Sequence, residues 1–375
     1  MPLAITGSAM RTSLGDTAET YQALLAGESG RRPLGYVAPE RVNVRHGYHV
    51  DASGPERPYR ASAWLAGCVA AAAREAGLDC ARQRVVAIVG TGLRELRAVE
   101  RWRADGQPVE PDALHFGAAV RGALPGVEDV VTVSNACSAS SHALALAADL
   151  IELDEADAVL ACGADAMTES MLAMIGRVGD ESSDAVRPFD ADRKGVLLGD
   201  GAVAVVVQRA PDTDTAVLLR GVGMSCDAYH ETAPDPDGLR AAMTDAYRRA
   251  GLRPADVGLV LAHGTGTALN DPTEAGVLAG IFADAGPGPL VTGIKGAIGH
   301  TSGSAGLMSL LVAVEALRHG RVPPVVGLRT PIAEAAPLNL VVGEPAATDA
   351  RVAQVNAFGF GGVNAVCLVE VRRER

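Results

Sequence analysis

The chain has 375 residues, 48% of them apolar and 21% charged, with a formal net charge of −12. That length and apolar share support a large core, and the mixed charge excludes a disordered chain. The acidic balance disfavours nucleic acid as a partner, and no run of eighteen uncharged apolar residues is present to span a membrane.

In chain order, an Ala-rich amphipathic stretch predicts a helix over 60–76, followed by an apolar strand over 84–90. Strand 129–133 leads into helix 138–153, then strands 157–162 and 202–208. Strand 217–222, helix 238–250, strand 257–262 and helices 271–283 and 303–319 follow, and strands 351–356 and 363–371 end the series. The strands are continuous apolar runs rather than alternating ones, which is the pattern of sheets covered on both faces. The expected class is therefore α/β, with helices layered on sheets. Segments 31–58 and 94–112 carry no period and read as irregular caps or interface loops.

Parts of the first half recur in the second. Arg74-Glu75-Ala76-Gly77-Leu78 and the run Val85 to Gly92 match Arg248-Arg249-Ala250-Gly251-Leu252 and Gly258 to Gly266 at a constant offset of 174, Arg74 against Arg248. Gly199-Asp200-Gly201-Ala202-Val203 matches Gly359-Phe360-Gly361-Gly362-Val363, and Ile5 to Met10 resembles Arg220 to Met224 more weakly. The period is too long for a solenoid. Two duplicated halves are expected, 1–210 and 211–375.

Four motifs carry possible chemistry. In Val133-Ser134-Asn135-Ala136-Cys137-Ser138, a strand runs through small residues into a helix. A Cys at a helix N-terminus gains thiolate character from the helix dipole, so Cys137 reads either as a nucleophile or as a small buried residue. His263-Gly264-Thr265-Gly266-Thr267 follows strand 257–262, at the sheet end where α/β folds bind ligands. Asp271 and Glu274 beyond it suit a helix first turn, a structural role. Lys295 and His300 share the Gly-rich loop Gly293 to Gly303, and a distant Cys with a His is a nucleophilic arrangement if the fold joins them. Asn356-Ala357-Phe358-Gly359-Phe360-Gly361-Gly362 reads either as a mobile loop or as a tight turn with two packed rings.

The remaining residues read as scaffold. Only Lys194 and Lys295 of the 33 basic residues are lysines. Lys295 thus marks a place where a guanidinium does not fit, although the loop is not expected to be core, whereas Lys194, in the Arg187 to Lys194 loop, reads as a surface residue among local ion pairs. The six cysteines (68, 80, 137, 162, 226 and 367) form no CxxC pair and read as reduced cytosolic thiols, all but Cys137 in the core. His142 lies one and a half helical turns past Cys137 and does not project beside it. The first ten residues carry no basic or long apolar stretch, so no leader is expected.

Taken together, the order of these motifs resembles the β-ketoacyl-[acyl carrier protein] synthases of the thiolase superfamily. The resemblance extends from Ile5-Thr6-Gly7 through Arg187-Pro188-Phe189-Asp190 to Asn364. It implies a thiolase-like five-layered αβαβα fold and a cytoplasmic dimer, a homodimer or a heterodimer with a related subunit. It implies that Cys137 accepts the acyl group, that His263 and His300 bind and decarboxylate a malonyl-type extender, and that Lys295 orients them. It further implies an oxyanion hole from the N–H groups of Cys137 and Phe360, a gating role for Phe360, and phosphopantetheine contacts from Thr265 and Thr267. The implied partner is acyl carrier protein, with no metal and no cofactor. Relatives differ in having a Glu where Ser309 stands and a Thr where Asn135 stands, and their counterpart of 93–130 is longer. Met167, Met171, Leu172 and Met174 read either as tunnel wall or as core. The implied reaction is decarboxylative condensation in fatty-acid or type II polyketide synthesis. Acyl transfer to another acceptor without decarboxylation is the alternative, and a non-catalytic partner subunit is argued against by the presence of Cys137.

Overall fold

A computed structural model describes residues 2–51, 56–177, 183–210 and 217–372. The first half holds β1 (Leu3–Arg11), α1 (Thr17–Leu25), β2 (Arg32–Pro33), α2 (Pro39–Val42), β3 (His46–Gly47), α3 (Arg60–Glu75), β4 (Val85–Gly90) and α4 (Leu96–Asp105). It continues with α5 (Gly117–Ala123), β5 (Asp129–Val133), α6 (Ala139–Glu152), β6 (Ala158–Asp165), α7 (Glu169–Ile175) and β7 (Gly201–Arg209). The second half holds β8 (Val217–Cys226), α8 (Pro236–Ala250), β9 (Leu259–Leu261), α9 (Asn270–Ile281), β10 (Leu290–Thr292), α10 (Lys295–Ile298) and α11 (Ala305–His319). Short β11 (Arg321–Val322), β12 (Asn339–Leu340) and β13 (Ala346–Ala347) precede β14 (Val352–Gly359) and β15 (Val363–Val371).

Eleven strands join in the order β12-β10-β9-β14-β15-β8-β1-β7-β6-β4-β5. The centre of that order is a short seam in which Leu3, Ala4 and Ile5 of β1 pair with Leu219, Leu218 and Val217 of β8. Outward from the seam, β1-β7-β6-β4-β5 and β8-β15-β14-β9-β10 run in matching sequence. In each wing the outer strands are parallel, β4 with β5 and β6, and β9 with β10 and β14.

Side-chain alternation along the strands sorts the core into layers. Val203, Val205 and Val207 of β7 face a central core, together with Leu144 and Ile151 of α6 and Leu307, Leu311 and Val314 of α11. Ala202, Ala204 and Val206 face the opposite way, onto Leu65, Val69 and Ala72 of α3 and Val120 of α5. In the other wing, Ala353, Val355 and Cys367 face the central helices, while Val260, Val366 and Leu368 meet Leu239 and Met243 of α8 and Leu278 of α9. The result is helix, sheet, helix pair, sheet, helix, the five-layered αβαβα fold.

The expected long elements recur within a few residues at each end, strand 257–262 shortening to Leu259–Leu261 and strand 217–222 extending to Cys226. Two readings need correction. Segment 94–112 is not wholly irregular, because Leu96–Asp105 is helical, and there Arg97 pairs with Glu56, Glu100 and Glu169. Leu96, Val99 and Trp102 share one face of this helix, but only Ala98 is buried, and ion pairs to Glu56 and Glu169 tie it to its surroundings. Cys226 is exposed at the end of β8 rather than in the core, and Cys80 is only partly buried. Among the described residues, no helix is long and apolar enough to cross a membrane.

Candidate active site

All four motifs lie at the carboxyl ends of strands, where the backbone turns out of the sheet and α/β folds leave a crevice. Cys137 sits in a 3-10 turn, Ala136–Ser138, between β5 and α6. Ala136 takes a left-handed φ of 48°, an uncommon conformation for a residue with a Cβ, and so lifts Cys137 out of the strand line. Ser138 Oγ donates to Asn135 O at 3.1 Å and to Val363 O at 2.7 Å, tying this turn to the first residue of β15. The backbone N–H groups of Phe360 and of Cys137 itself face the Cys137 sulfur. Behind the turn, buried Asp165 accepts from Thr91 Oγ1 at 2.7 Å and from the N–H groups of Gly92, Leu93 and Gly303. Gly303 must be glycine there, because a Cβ would stand 2.5 Å from Gly92 N.

His263 is held from below by its own loop. Glu274 Oε1 accepts from His263 N at 2.7 Å, and Oε2 accepts from Gly264 N at 2.8 Å. Asp271 accepts from the N–H groups of Thr265, Gly266 and Phe189. Asp271 and Glu274 therefore do more than favour a helix start: two buried carboxylates cradle the whole His-Gly-Thr-Gly turn. The Thr265 and Thr267 hydroxyls lie 2.8 Å apart, and Arg193 Nε donates to Thr267 O at 3.0 Å. The Arg187 to Lys194 loop is thus scaffold for this motif, with Lys194 exposed.

Lys295 begins α10 and is 2% exposed. Its Nζ donates to His263 O and lies 3.3 Å from His263 Nδ1. Phe358 N–H also reaches Nδ1, at 3.4 Å. An imidazole nitrogen facing two donors is an acceptor, so the neutral His263 carries its proton on Nε2. His300 stands edge-on to His263 with ring centroids 5.5 Å apart. Its backbone is pinned between Leu197 O and Gly199 N. Burial, then Lys295, then His300 hold the His263 pKa well below its ordinary value, and burial and Lys295 do the same to His300. Both imidazoles are neutral near pH 7.

Burial lowers Lys295 to about 8, opposed by Glu274, Cys137 and Asp271. Burial also pushes the Cys137 thiol up to about 11, with Lys295 and the Phe360 N–H pulling it down. The sequence argument expected thiolate character from the helix terminus; in the folded site desolvation wins, and the resting group is a thiol. His142 turns away, its Nδ1 lying 3.0 Å from Ser138 O. Met167 and Leu172 are buried and Met174 is 41% exposed, so the methionines do not form one wall.

Phe360 itself is 48% exposed at the tip of the β14–β15 loop. Residues after β8 latch this loop: Asp227 N donates to Gly362 O at 3.1 Å, Asn364 Nδ2 to Asp227 Oδ2 at 3.0 Å, and Gly361 N to Glu231 O at 2.9 Å. Sequence reasoning missed Asp165, Asp227 and Asn356 as organisers. Asn356 opens the Gly-rich β14–β15 motif, whereas Asp165 and Asp227 meet their glycines, Gly92, Gly303 and Gly362, only across the fold, so no local signal marks them.

The fold thus brings Cys137, His263, Lys295, His300 and the Phe360 N–H to one place. Residues 60–213 match the family model for the β-ketoacyl synthase N-terminal domain, and residues 216–329 match that for the β-ketoacyl synthase C-terminal domain. The chain belongs to the β-ketoacyl synthase family. It is 34% identical over 316 residues to nodulation protein E of Rhizobium meliloti, covering 79% of this chain and 78% of that one. It is 32% identical over 401 aligned positions to 3-oxoacyl-[acyl-carrier-protein] synthase 2 of Mycobacterium tuberculosis, covering 96% and 95%. Among solved structures, the ishigamide ketosynthase/chain length factor superposes with a TM-score of 0.87 at 28% identity, covering 99% of both chains.

Proposed function

We propose that this ketosynthase catalyses decarboxylative condensation between an acyl group carried on Cys137 and a malonyl-type extender on acyl carrier protein. The observation that carries the reading is the pair of neutral imidazoles, His263 and His300, set beside Lys295 and a cysteine whose sulfur faces two backbone N–H groups. In the first half-reaction the Cys137 sulfur attacks the carrier thioester. The new S–acyl bond forms, the carrier thiol leaves, and the proton lost by Cys137 ends on that thiol. In the second, the C–C bond to the extender carboxylate breaks, carbon dioxide departs, and the electron pair moves into the thioester as an enolate. The Nε2–H of His263, with His300, stabilises that enolate oxygen. The enolate carbon attacks the acyl carbonyl. Its oxygen becomes an oxyanion facing the N–H groups of Cys137 and Phe360, and collapse expels the Cys137 thiolate, which regains a proton. Acyl transfer without decarboxylation needs no such imidazole pair and is not favoured.

Thr265 and Thr267, beside the site, would contact the phosphopantetheine arm, and Phe360 at the exposed loop tip would gate its entry. The two halves, 1–210 and 211–375, then divide the work, the first supplying Cys137 and the second both histidines. Strand β5 supports self-association or pairing with a related subunit: it ends the sheet, pairs with β4 alone among the described strands, and leaves Val131 47% exposed.

The test is intact-protein mass spectrometry after mixing with a panel of acyl-carrier proteins, with and without the malonyl form. The wild type should gain one acyl mass, and Cys137→Ala should gain none. Acyl loading retained on Cys137→Ala would show that another residue is the nucleophile.

A further inference from the structure

The outer face of β14 carries Val352, Gln354, Asn356 and Phe358, since side chains alternate along a strand. Val352 and Phe358 join the apolar core beneath α8 and α9. Gln354 and Asn356 sit in the same face, 0% and 1% exposed. Two amides in an apolar layer cost desolvation that aliphatic residues would avoid, so their connections are informative. Tyr247 of α8 donates its hydroxyl to Gln354 Oε1 at 2.5 Å, Gln354 Nε2 donates to Asn356 Oδ1 at 2.8 Å, and Asn356 Nδ2 donates to Glu274 Oε1 at 2.9 Å.

The direction of this chain is set at its outer end. Gln354 Oε1 is the one acceptor of the Tyr247 hydroxyl among the described residues, so a turned Gln354 amide would leave a buried O–H without an acceptor. That bond favours one direction for each amide, and the last donor faces a carboxylate. Glu274 Oε1 accepts from His263 N and Asn356 Nδ2, while Oε2 accepts from Gly264 N and Asn270 Nδ2, at 3.3 Å for the last. Burial pushes the Glu274 carboxyl up, and these four donors oppose it by filling the four acceptor sites of the ionised form. The peptide joining His263 to Gly264 then lies between opposite charges. Its N–H donates to Glu274 and its C=O accepts from Lys295 Nζ.

We propose that Tyr247 and Gln354 are positioning residues of the condensing site: they fix the direction of a buried hydrogen-bond chain that keeps Glu274 ionised, and through it hold Lys295 and His263 in their working states. This rests on the condensing function proposed above. Neither residue touches the reacting atoms; they act through Asn356, Glu274 and the His263–Gly264 peptide. Without the Tyr247 hydroxyl the Gln354 amide is free to turn. If it turns, Asn356 turns with it and presents oxygen to Glu274, an opposition relieved only by protonating the carboxylate. Lys295 faces Glu274 and Asp271 from α9, Cys137 from its turn, and the rings of His263 and His300. Loss of the Glu274 charge removes the largest of its stabilising partners, so the ammonium gives up its proton at lower pH.

The experiment follows carbon dioxide release from malonyl-carrier protein against pH for the wild type, Tyr247→Phe and Gln354→Met. The alkaline limb should move down by about one pH unit in both variants, the low end of what an opposite charge exerts. At a pH above the limb kcat should fall roughly tenfold, as that shift implies, with KM for the malonyl carrier changed less than about twofold. If the pair serves packing alone, thermal stability falls but the limbs superimpose, and the proposal is overturned. Failure of both variants to fold would assign the pair to stability and overturn it equally. The wild-type arm separates the two readings: no carbon dioxide release and no acyl loading by the wild type would sink the condensing function itself, whereas an active wild type with unmoved variant limbs sinks only the relay.

Discussion

Lys295→Arg should cost both activity and stability, and the structure supplies the size of each. The ammonium is 2% exposed, and its Nζ is engaged by both the carbonyl and the ring of His263. A guanidinium is wider and planar, and forcing extra atoms into a packed interior costs about 1–3 kcal/mol. For a chain of this length that lowers Tm by roughly 1–4 °C. The sequence alone suggested an indifferent loop; complete burial of Lys295 reverses that expectation. Displacing His263 by an ångström should reduce condensation roughly 10²-fold. The pH dependence is the sharper test. Lys295 is lowered from 10.5 to about 8 in the folded protein. The unfolded chain therefore holds a proton that the folded one has released between those values, and stability from this group rises with pH across that window, by about 3 kcal/mol in total. Arginine stays charged throughout, so Lys295→Arg should lack both that rise and the alkaline activity limb near 8. Calorimetry at pH 7 and 9.5, with carbon dioxide release as the activity assay, reads both. An unchanged limb near pH 8 in Lys295→Arg would refute the assignment, and Lys194→Arg, at an exposed position, is the silent control.

Three further outcomes are open to measurement. Cys137→Gln should still release carbon dioxide from malonyl-carrier protein while forming no condensed product, because its amide stands in for an acylated cysteine and leaves His263 and His300 intact; an inactive but folded variant would favour plain acyl transfer. Alkylation of Cys137 by iodoacetamide should rise with pH toward an inflection near 11, set by burial, and an inflection below 8 would mean that the resting group is a thiolate. Val131→Lys, which places a charge on the open edge of β5, should weaken self-association in analytical ultracentrifugation at unchanged Tm; an unaltered sedimentation profile would move the interface elsewhere.

The long elements were legible because their cause is local. Buried parallel strands are apolar runs, and the helices between them have Ala-rich or amphipathic faces. The motif residues were legible for a similar reason: Cys137, His263 and Lys295 each follow a strand end and stand among small residues. What stayed hidden depends on distant partners. Tyr247 and Gln354 are 107 positions apart and meet only because α8 packs on the outer face of β14. Helix α4 buries only Ala98, and Arg97 binds it to Glu56 and Glu169, which no period in the sequence announces. The thiol state of Cys137 was misjudged because a helix terminus is visible in sequence and desolvation is not.

That last point bears on how the site works. Cys137 at about 11 and two histidines held neutral leave the Lys295 ammonium as the cation nearest the motif. A permanent thiolate beside the ammonium would cancel the field that an enolate needs. A resting thiol leaves that field available, and the N–H groups of Cys137 and Phe360 that face the sulfur stay free to bind whichever anion forms next. The same burial that makes the thiol a poor nucleophile at rest makes each fixed donor stronger once charge develops, because little water competes for it. In the proposed mechanism acylation then removes the ionisable thiol altogether, leaving Lys295, His263 and His300 to act on the extender. The two proposed steps need opposite electrostatics at one sulfur, and a thiol held high in pKa next to a lysine held low accommodates both.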